Sequence, residues 1–140
     1  MEEIIFYNSE RIPIMQWRNF RFVKCMNDGI IQFELKAQIS IFEVSNIYEV
    51  NLVELQNFKD SVNSLYNQKL HKVVWTLWND LLQVELEREM SGSIKQHFLI
   101  KESRNGSCLT INARFDQTFL PELTKSVDVV LENIKTLSKI

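Results

Sequence analysis

"IQFELKAQISI", Ile31 to Ile41, sets how the chain is read. Its odd positions are Ile31, Phe33, Leu35, Ala37, Ile39 and Ile41; its even ones are Gln32, Glu34, Lys36, Gln38 and Ser40. Successive side chains of a strand point to opposite faces, so this period of two predicts a half-buried strand with one apolar and one wet face. Upstream, "NFRFVKCM" from Asn19 predicts a second strand, and "NDG" at Asn27 to Gly29 supplies the positive-φ residues of a tight hairpin. The two strands are expected to pair antiparallel. Glu43 to Val50 reads as a further strand, with a bend near Ser45 and Asn46.

The period then changes. Asn51 stands three residues before Glu54, the spacing at which each side chain satisfies an unpaired backbone donor of the other residue, so a helix is predicted to start there. Leu52, Leu55, Phe58, Val62, Leu65 and Tyr66 recur on one face and Gln56, Lys59, Asp60 and Asn63 on the other, with an end near Gln68. Four alternating stretches follow: "KVVWTLW" from Lys72, "LLQVELERE" from Leu81, "SIKQHFLIKE" from Ser93 and "SCLTINARF" from Ser107. Asn79–Asp80, Ser91–Gly92 and Arg104–Gly106 punctuate them as turns, and connections this short force antiparallel neighbours. The middle of the chain is therefore a meander.

"FDQTFLPEL", Phe115 to Leu123, ends the last strand and opens the final helix. Pro121 lacks only a donor that the first helical turn leaves unpaired, and Asp116 or Thr118 can cap through a side-chain oxygen. Leu120, Leu123, Val127, Val130, Leu131, Ile134 and Leu137 then form one apolar stripe. The expected fold is α+β: one antiparallel sheet of about six to seven strands, in the order β-β-β-α-β-β-β-β-α, with two amphipathic helices on one face. A chain of 140 residues suits a single domain.

Composition narrows the function. Sixteen Lys and Arg face eighteen Asp and Glu, and no like-charge run marks a nucleic-acid arm, so no nucleic-acid partner is expected. "MEEIIFYNSER" has acids where a signal peptide needs a basic start, and no apolar run reaches a membrane span. A cytoplasmic protein without a membrane partner is the reading. Cys25 and Cys108 both sit in alternating apolar stretches, which predicts two buried, reduced thiols.

Chemistry-bearing patterns are few. His71 and His97 fall in no metal or triad spacing; His71 follows a helix end and His97 alternates with Lys95 on a wet face. Gly29, Gly92 and Gly106 are isolated, which rules out a glycine-rich phosphate loop, and "MSGSI" lacks the spacing of a serine nucleophile elbow. Neither a cofactor nor enzymatic activity is expected. Charge and aromatic surface remain. Leu82, Val84 and Leu86 point one way, so Glu85, Glu87 and Glu89 form an acidic row on the other face, with Asp80 in the adjoining turn. Carboxylates ~7 Å apart in open water are poor acid–base pairs. A solvated sheet face explains them; the sharper reading is a docking surface for a basic partner. Trp75 alternates with Val73 and Leu77 and is expected buried, leaving Trp78 exposed beside Asp80 and near the row.

The helix "VELQNFKDSVNSLY", the strand pair "KVVWTLWNDLLQVELER", the strand "SGSIKQHFLI" and above all "CLTINARFDQTFLPELTKSV" resemble the WapI-type immunity family of small bacterial cytosolic proteins. The most specific piece is Asp116, Gln117, Thr118, Phe119, Leu120 and Pro121, matching that family's Asp-Gln-Ser/Thr-aromatic-Leu-Pro pattern, while the first 26 residues depart from it. The resemblance implies an immunity protein that binds the C-terminal toxic domain, often a nuclease, of a cognate polymorphic or contact-dependent toxin in a stoichiometric complex. It brings no catalytic residues. Trp78, Asp80, Glu85, Glu87 and Glu89 are the candidate toxin-binding residues, and the chain is expected to be a monomer. Two rivals are a small cytosolic enzyme, which needs a pocket joining a histidine to a cysteine and a carboxylate, and a self-associating structural module, which needs a stable homodimer.

Overall fold

A computed structural model describes residues 2–25, 28–104 and 106–138; the side chains of Lys24, Cys25, Asp28, Ile39, Leu137 and Ser138 lie outside that description. The chain runs β1 (Glu3–Tyr7), β2 (Pro13–Cys25), β3 (Asp28–Ile39), β4 (Phe42–Asn51), α1 (Leu52–Tyr66), β5 (Lys72–Thr76), β6 (Leu82–Arg88), β7 (Ser93–Lys101), β8 (Cys108–Asp116), a 3-10 turn (Gln117–Phe119) and α2 (Leu120–Ser138). All strand pairs are antiparallel.

The α+β class holds, but the strands form two four-stranded sheets, β1-β2-β3-β4 and β5-β6-β7-β8, rather than one. α1 separates them: the chain leaves the first sheet at Asn51 and re-enters as β5, which pairs with β6 and not with β4. The strand absent from the expected order is β1. Its Ile4 and Phe6 are buried, as are Met15 and Trp17 in the early part of β2, so the first residues do follow the period of two. The helices pack on each other and both meet the first sheet, α2 against β1 and β2 and α1 against β3 and β4, while α1 also reaches β5 of the second sheet.

Both inner faces and both helical stripes meet in one core. At its centre Trp17 of β2 lies 4.9 Å from Phe6, 5.3 Å from Phe33, 5.5 Å from Phe58 of α1 and 5.5 Å from Trp75 of β5, between ring centroids. Phe6 in turn meets Phe98 of β7 edge-on at 5.2 Å. Rings of this size bury much apolar area each, so one cluster ties two sheets and a helix together.

Local signals are realised where they depend on neighbours in sequence. Asn51 Oδ1 accepts from the Glu54 N–H at 2.8 Å, and Glu54 Oε1 accepts from the Asn51 N–H at 3.1 Å, which starts α1 as expected. Leu55, Phe58, Val62 and Leu65 are buried, while Tyr66, the last residue of α1, is exposed. Asp116 caps the 3-10 turn by accepting from the Thr118 N–H at 2.9 Å, and Pro121 follows at the second position of α2.

Three turn and burial expectations are corrected. The β3–β4 reversal is the two-residue turn Ser40–Ile41, with Ser40 at φ 54°, so Ser45 and Asn46 lie inside β4 and Ile41 is expelled to 88% exposure at the tip. Gly29 lies in β3 and is not among the positive-φ glycines; a Cβ there would run into the Phe22 ring, so close packing is what it serves. Asn27 lies outside the described residues. Cys108 is exposed, because it opens β8 on the side shared by Thr110, Asn112 and Arg114. The Cys25 thiol lies outside the description.

Candidate protein-docking surface

The outer side of the second sheet begins with a tryptophan. Parity along β5 puts Val73, Trp75 and Leu77 inside, and Lys72, Val74 and Trp78 outside. Trp75 is 7% exposed, its indole N–H donating to the Glu54 carbonyl at 2.9 Å, whereas Trp78 is 65% exposed. The turn carrying Trp78 is fixed on every side. Its own N–H donates to Glu54 Oε2 at 2.8 Å, the Asp80 N–H to the Leu77 carbonyl at 2.9 Å, the Leu81 N–H to Asn79 Oδ1 at 3.1 Å, and the Leu77 N–H to the Leu82 carbonyl at 2.9 Å. Asp80 completes the reversal at φ 61°, a conformation that Asn and Asp tolerate better than most residues. An exposed ring on such a turn loses little freedom on binding, which is what makes aromatic anchors effective.

The acidic residues lie along β6, which runs away from that turn. Cross-strand register places Glu85 opposite Val74 and His97, and Glu87 opposite Lys72 and Lys95. Lys72 Nζ is 3.5 Å from Glu85 and 3.9 Å from Glu87, and Arg114 Nε is 2.6 Å from Glu89. The row is thus matched by cations of its own sheet. Trp78 and Asp80 sit before β6 and Glu89 beyond its far end, roughly 25 Å away at ~3.3 Å per residue. The five candidates are therefore not one cluster: Trp78 and Asp80 mark one end of a face and Glu89 the other, with Glu85 in its middle opposite Val74, which is 54% exposed.

The Asp116–Pro121 motif is a joint. Gln117 Oε1 accepts from Arg88 Nη1, and the same guanidinium donates through Nη2 to the Leu65 carbonyl at the end of α1. Phe119 packs on Phe115 at 5.9 Å and lies 4.9 Å under the Arg11 guanidinium, which is also paired with Glu122 at 2.8 Å. Leu120 is fully buried. The motif thus couples β6, β8, α1 and the β1–β2 loop to the start of α2.

His97 Nδ1 lies 2.7 Å from Asn112 Oδ1 on the outer face, and the exposed His71 offers its backbone carbonyl to the Arg88 N–H. Among the described residues no three His, Cys, Asp or Glu side chains gather to hold a metal, and no helix is long and apolar enough to cross a membrane. A cleft of about 490 Å3, unforeseen in the sequence, opens where β4 meets the turn between β7 and β8, lined by Asn46, Tyr48, Lys101, Arg104 and Cys108 among others. Neither histidine lines it. Its residues come from distant parts of the chain, so no local pattern could announce it. At its floor the buried Tyr48 hydroxyl donates to the Lys101 carbonyl at 2.8 Å, and burial pushes this phenol above its ordinary pKa.

No protein-family model matches the chain, and no curated protein matches it. Among solved structures it is similar in chain course to MRP1/MRP2 of Trypanosoma brucei, with 9% identity, 97% of this chain and 86% of the other covered, and a TM-score of 0.47. The plant transcriptional regulator PBF-2 follows at 7% identity, 98% and 82% coverage and a TM-score of 0.47. WHY1 of Arabidopsis thaliana gives 10%, 92% and 81%, and 0.44. At this level of likeness no property of theirs is carried over to this chain.

Proposed function

We propose that this chain is an immunity protein that binds the C-terminal toxic domain of a cognate polymorphic or contact-dependent toxin and neutralises it by forming a stoichiometric complex. The observation that carries the reading is Trp78: the other two tryptophans are buried, while this one is held in the open by a turn pinned to Glu54. The Asp116–Pro121 pattern, which resembles the WapI-type immunity family, supports it from the sequence side. Binding needs no cofactor, nucleic acid or membrane. Around Trp78 the partner would meet Val74, Asp80 and Glu85, and at the far rim Glu87 and Glu89, whose carboxylates would exchange Lys72 and Arg114 for cations of the toxin.

Magnitudes allow it. A Kd of ~1 nM corresponds to about -12.3 kcal/mol. A standard interface of ~800 Å2 per partner with a few packed anchors reaches that value. Such a patch is ~28 Å across, enough to span from Trp78 to Glu89. The test is co-expression with the toxin domain encoded immediately upstream. Growth rescue together with a 1:1 complex, both weakened by Trp78→Ala, is the expected result; absence of rescue and complex with the wild-type chain removes the proposal.

A further inference from the structure

The first half of β4 carries backbone that no described residue pairs. A two-residue hairpin makes its flanking residues a hydrogen-bonded pair, and bonded pairs then recur at every second position. From the Ile39–Phe42 pair that flanks the Ser40–Ile41 turn, Phe42, Val44, Asn46 and Tyr48 bond back to β3. The N–H and C=O groups of Glu43, Ser45 and Ile47 therefore point away from the sheet. β4 is the last strand of its sheet, and among the described residues none of the turn and loop backbone hydrogen bonds ends on it. The Ile47 N–H turns to Asn46 Oδ1 at 2.9 Å, which leaves Glu43 and Ser45 open on both donor and acceptor. Proteins usually cover or shorten such an edge.

Ser45 of this edge lines the 490 Å3 cleft together with Val44, Asn46 and Tyr48, and the far wall is the end of β7 and the start of β8. Lys101 and Arg104 line it with Glu102 as its one carboxylate, and among the described residues neither cation is in an ion pair, unlike Lys72 and Arg114 on the outer face. The cleft is thus locally positive in a chain of net charge -2. Val44 and Leu109 add apolar wall beside the open edge. From this juxtaposition we infer that the β4 edge from Glu43 to Ile47 takes an extended acidic peptide segment of a partner protein, which adds to β4 as a fifth strand and seats a carboxylate between Lys101 and Arg104. The two cations alone would also draw a nucleic acid. An unpaired strand edge favours peptide, because its donors and acceptors alternate at the repeat of another strand and not at that of phosphates. The site is separate from the Trp78 surface and does not depend on what binds there.

The experiment is a titration of the full 15N-labelled chain with three probes: the blocked octapeptide Thr-Val-Glu-Val-Asp-Val-Thr-Ser, its counterpart with lysine at both acidic positions, and an eight-nucleotide oligothymidylate. The acidic peptide is expected to give saturable amide shifts at Glu43, Ser45, Ile47 and Lys101 to Arg104, and the lysine peptide none. Ser45→Pro removes an outward donor and is tolerated on a strand edge, and should weaken binding roughly tenfold. Lys101→Glu with Arg104→Glu should do at least as much and serves independently if Ser45→Pro fails to fold. No saturable shift at millimolar acidic peptide, equal binding of the lysine peptide, or shifts unchanged in both variants would overturn the inference. So would stronger binding of the oligonucleotide at these amides that survives Ser45→Pro.

Discussion

Glu54 holds Trp78 in place: Oε2 of the α1 carboxylate accepts the tryptophan's backbone N–H at 2.8 Å while Oε1 accepts that of Asn51 at 3.1 Å. One side chain therefore both starts the helix and fixes the exposed ring. In Glu54→Gln an amide NH2 must face one of the two donors, leaving that N–H unsatisfied. The expected cost is about 1–2 kcal/mol in urea unfolding. Amide exchange at Trp78 should quicken in the same variant; unchanged exchange would mean that the turn stands without Glu54.

Trp78→Ala separates binding from folding. The ring touches little of its own chain, so unfolding free energy should stay within about 0.5 kcal/mol of wild type. Affinity for the toxin domain should fall by about 2 kcal/mol or more, mostly through faster dissociation. Calorimetry of the complex reads this directly.

Lysine at Glu85, Glu87 and Glu89 together behaves differently. The substitutions remove the partners of Lys72 and Arg114 and add like charge beside them. Each exposed pair contributes about 0–1 kcal/mol, so a modest loss of stability should accompany slower association with a basic partner. A change in association rate without any stability change would show the internal pairs to be idle.

At the core, Trp17→Ala should cost about 3–5 kcal/mol, since it empties the centre of the aromatic cluster. Trp17→Phe should cost clearly less. The indole N–H has no hydrogen-bond partner among the described residues, so phenylalanine removes a buried unsatisfied donor along with some volume. Thermal unfolding of both variants orders them.

Stability should fall at both ends of the pH scale. Hydrogen bonds from Arg18 and then Asn19 hold the Glu34 carboxyl below its ordinary 4.5, and the N–H and then the hydroxyl of Thr118 hold Asp116 below 3.8. Both contributions are complete above those ordinary values and disappear as pH falls through the lowered ones, so Glu34→Gln and Asp116→Asn should flatten the acid limb. Tyr48 is raised above 10.0, chiefly by burial; its contribution is intact below pH 10 and fades as pH climbs through the raised value. Tyr48→Phe should lose about 1 kcal/mol at neutral pH and show a shallower alkaline decline.

Part of the candidate surface was legible. Parity along "KVVWTLW" separated buried Trp75 from exposed Trp78 because alternation is a property of the strand itself. The neutralisation of the acidic row was not, since Lys72 and Arg114 reach it only through the register of β5 and the fold of β8. Nor was the distance between Trp78 and Glu89, which lie before and beyond one strand.

The sequence by itself determined the elements and their faces: the buried side of β3, the cap that starts α1, and the Asp116 and Pro121 signals that open α2. These follow from backbone geometry over a few residues. Only the tertiary structure decided that eight strands divide into two sheets, that the Ser40–Ile41 turn throws Ile41 outward, that Cys108 is open, and that β4 faces a cationic cleft. Alternation reports which side of a strand meets the core but not which strand lies beside it, because backbone hydrogen bonds are the same whichever neighbour supplies them.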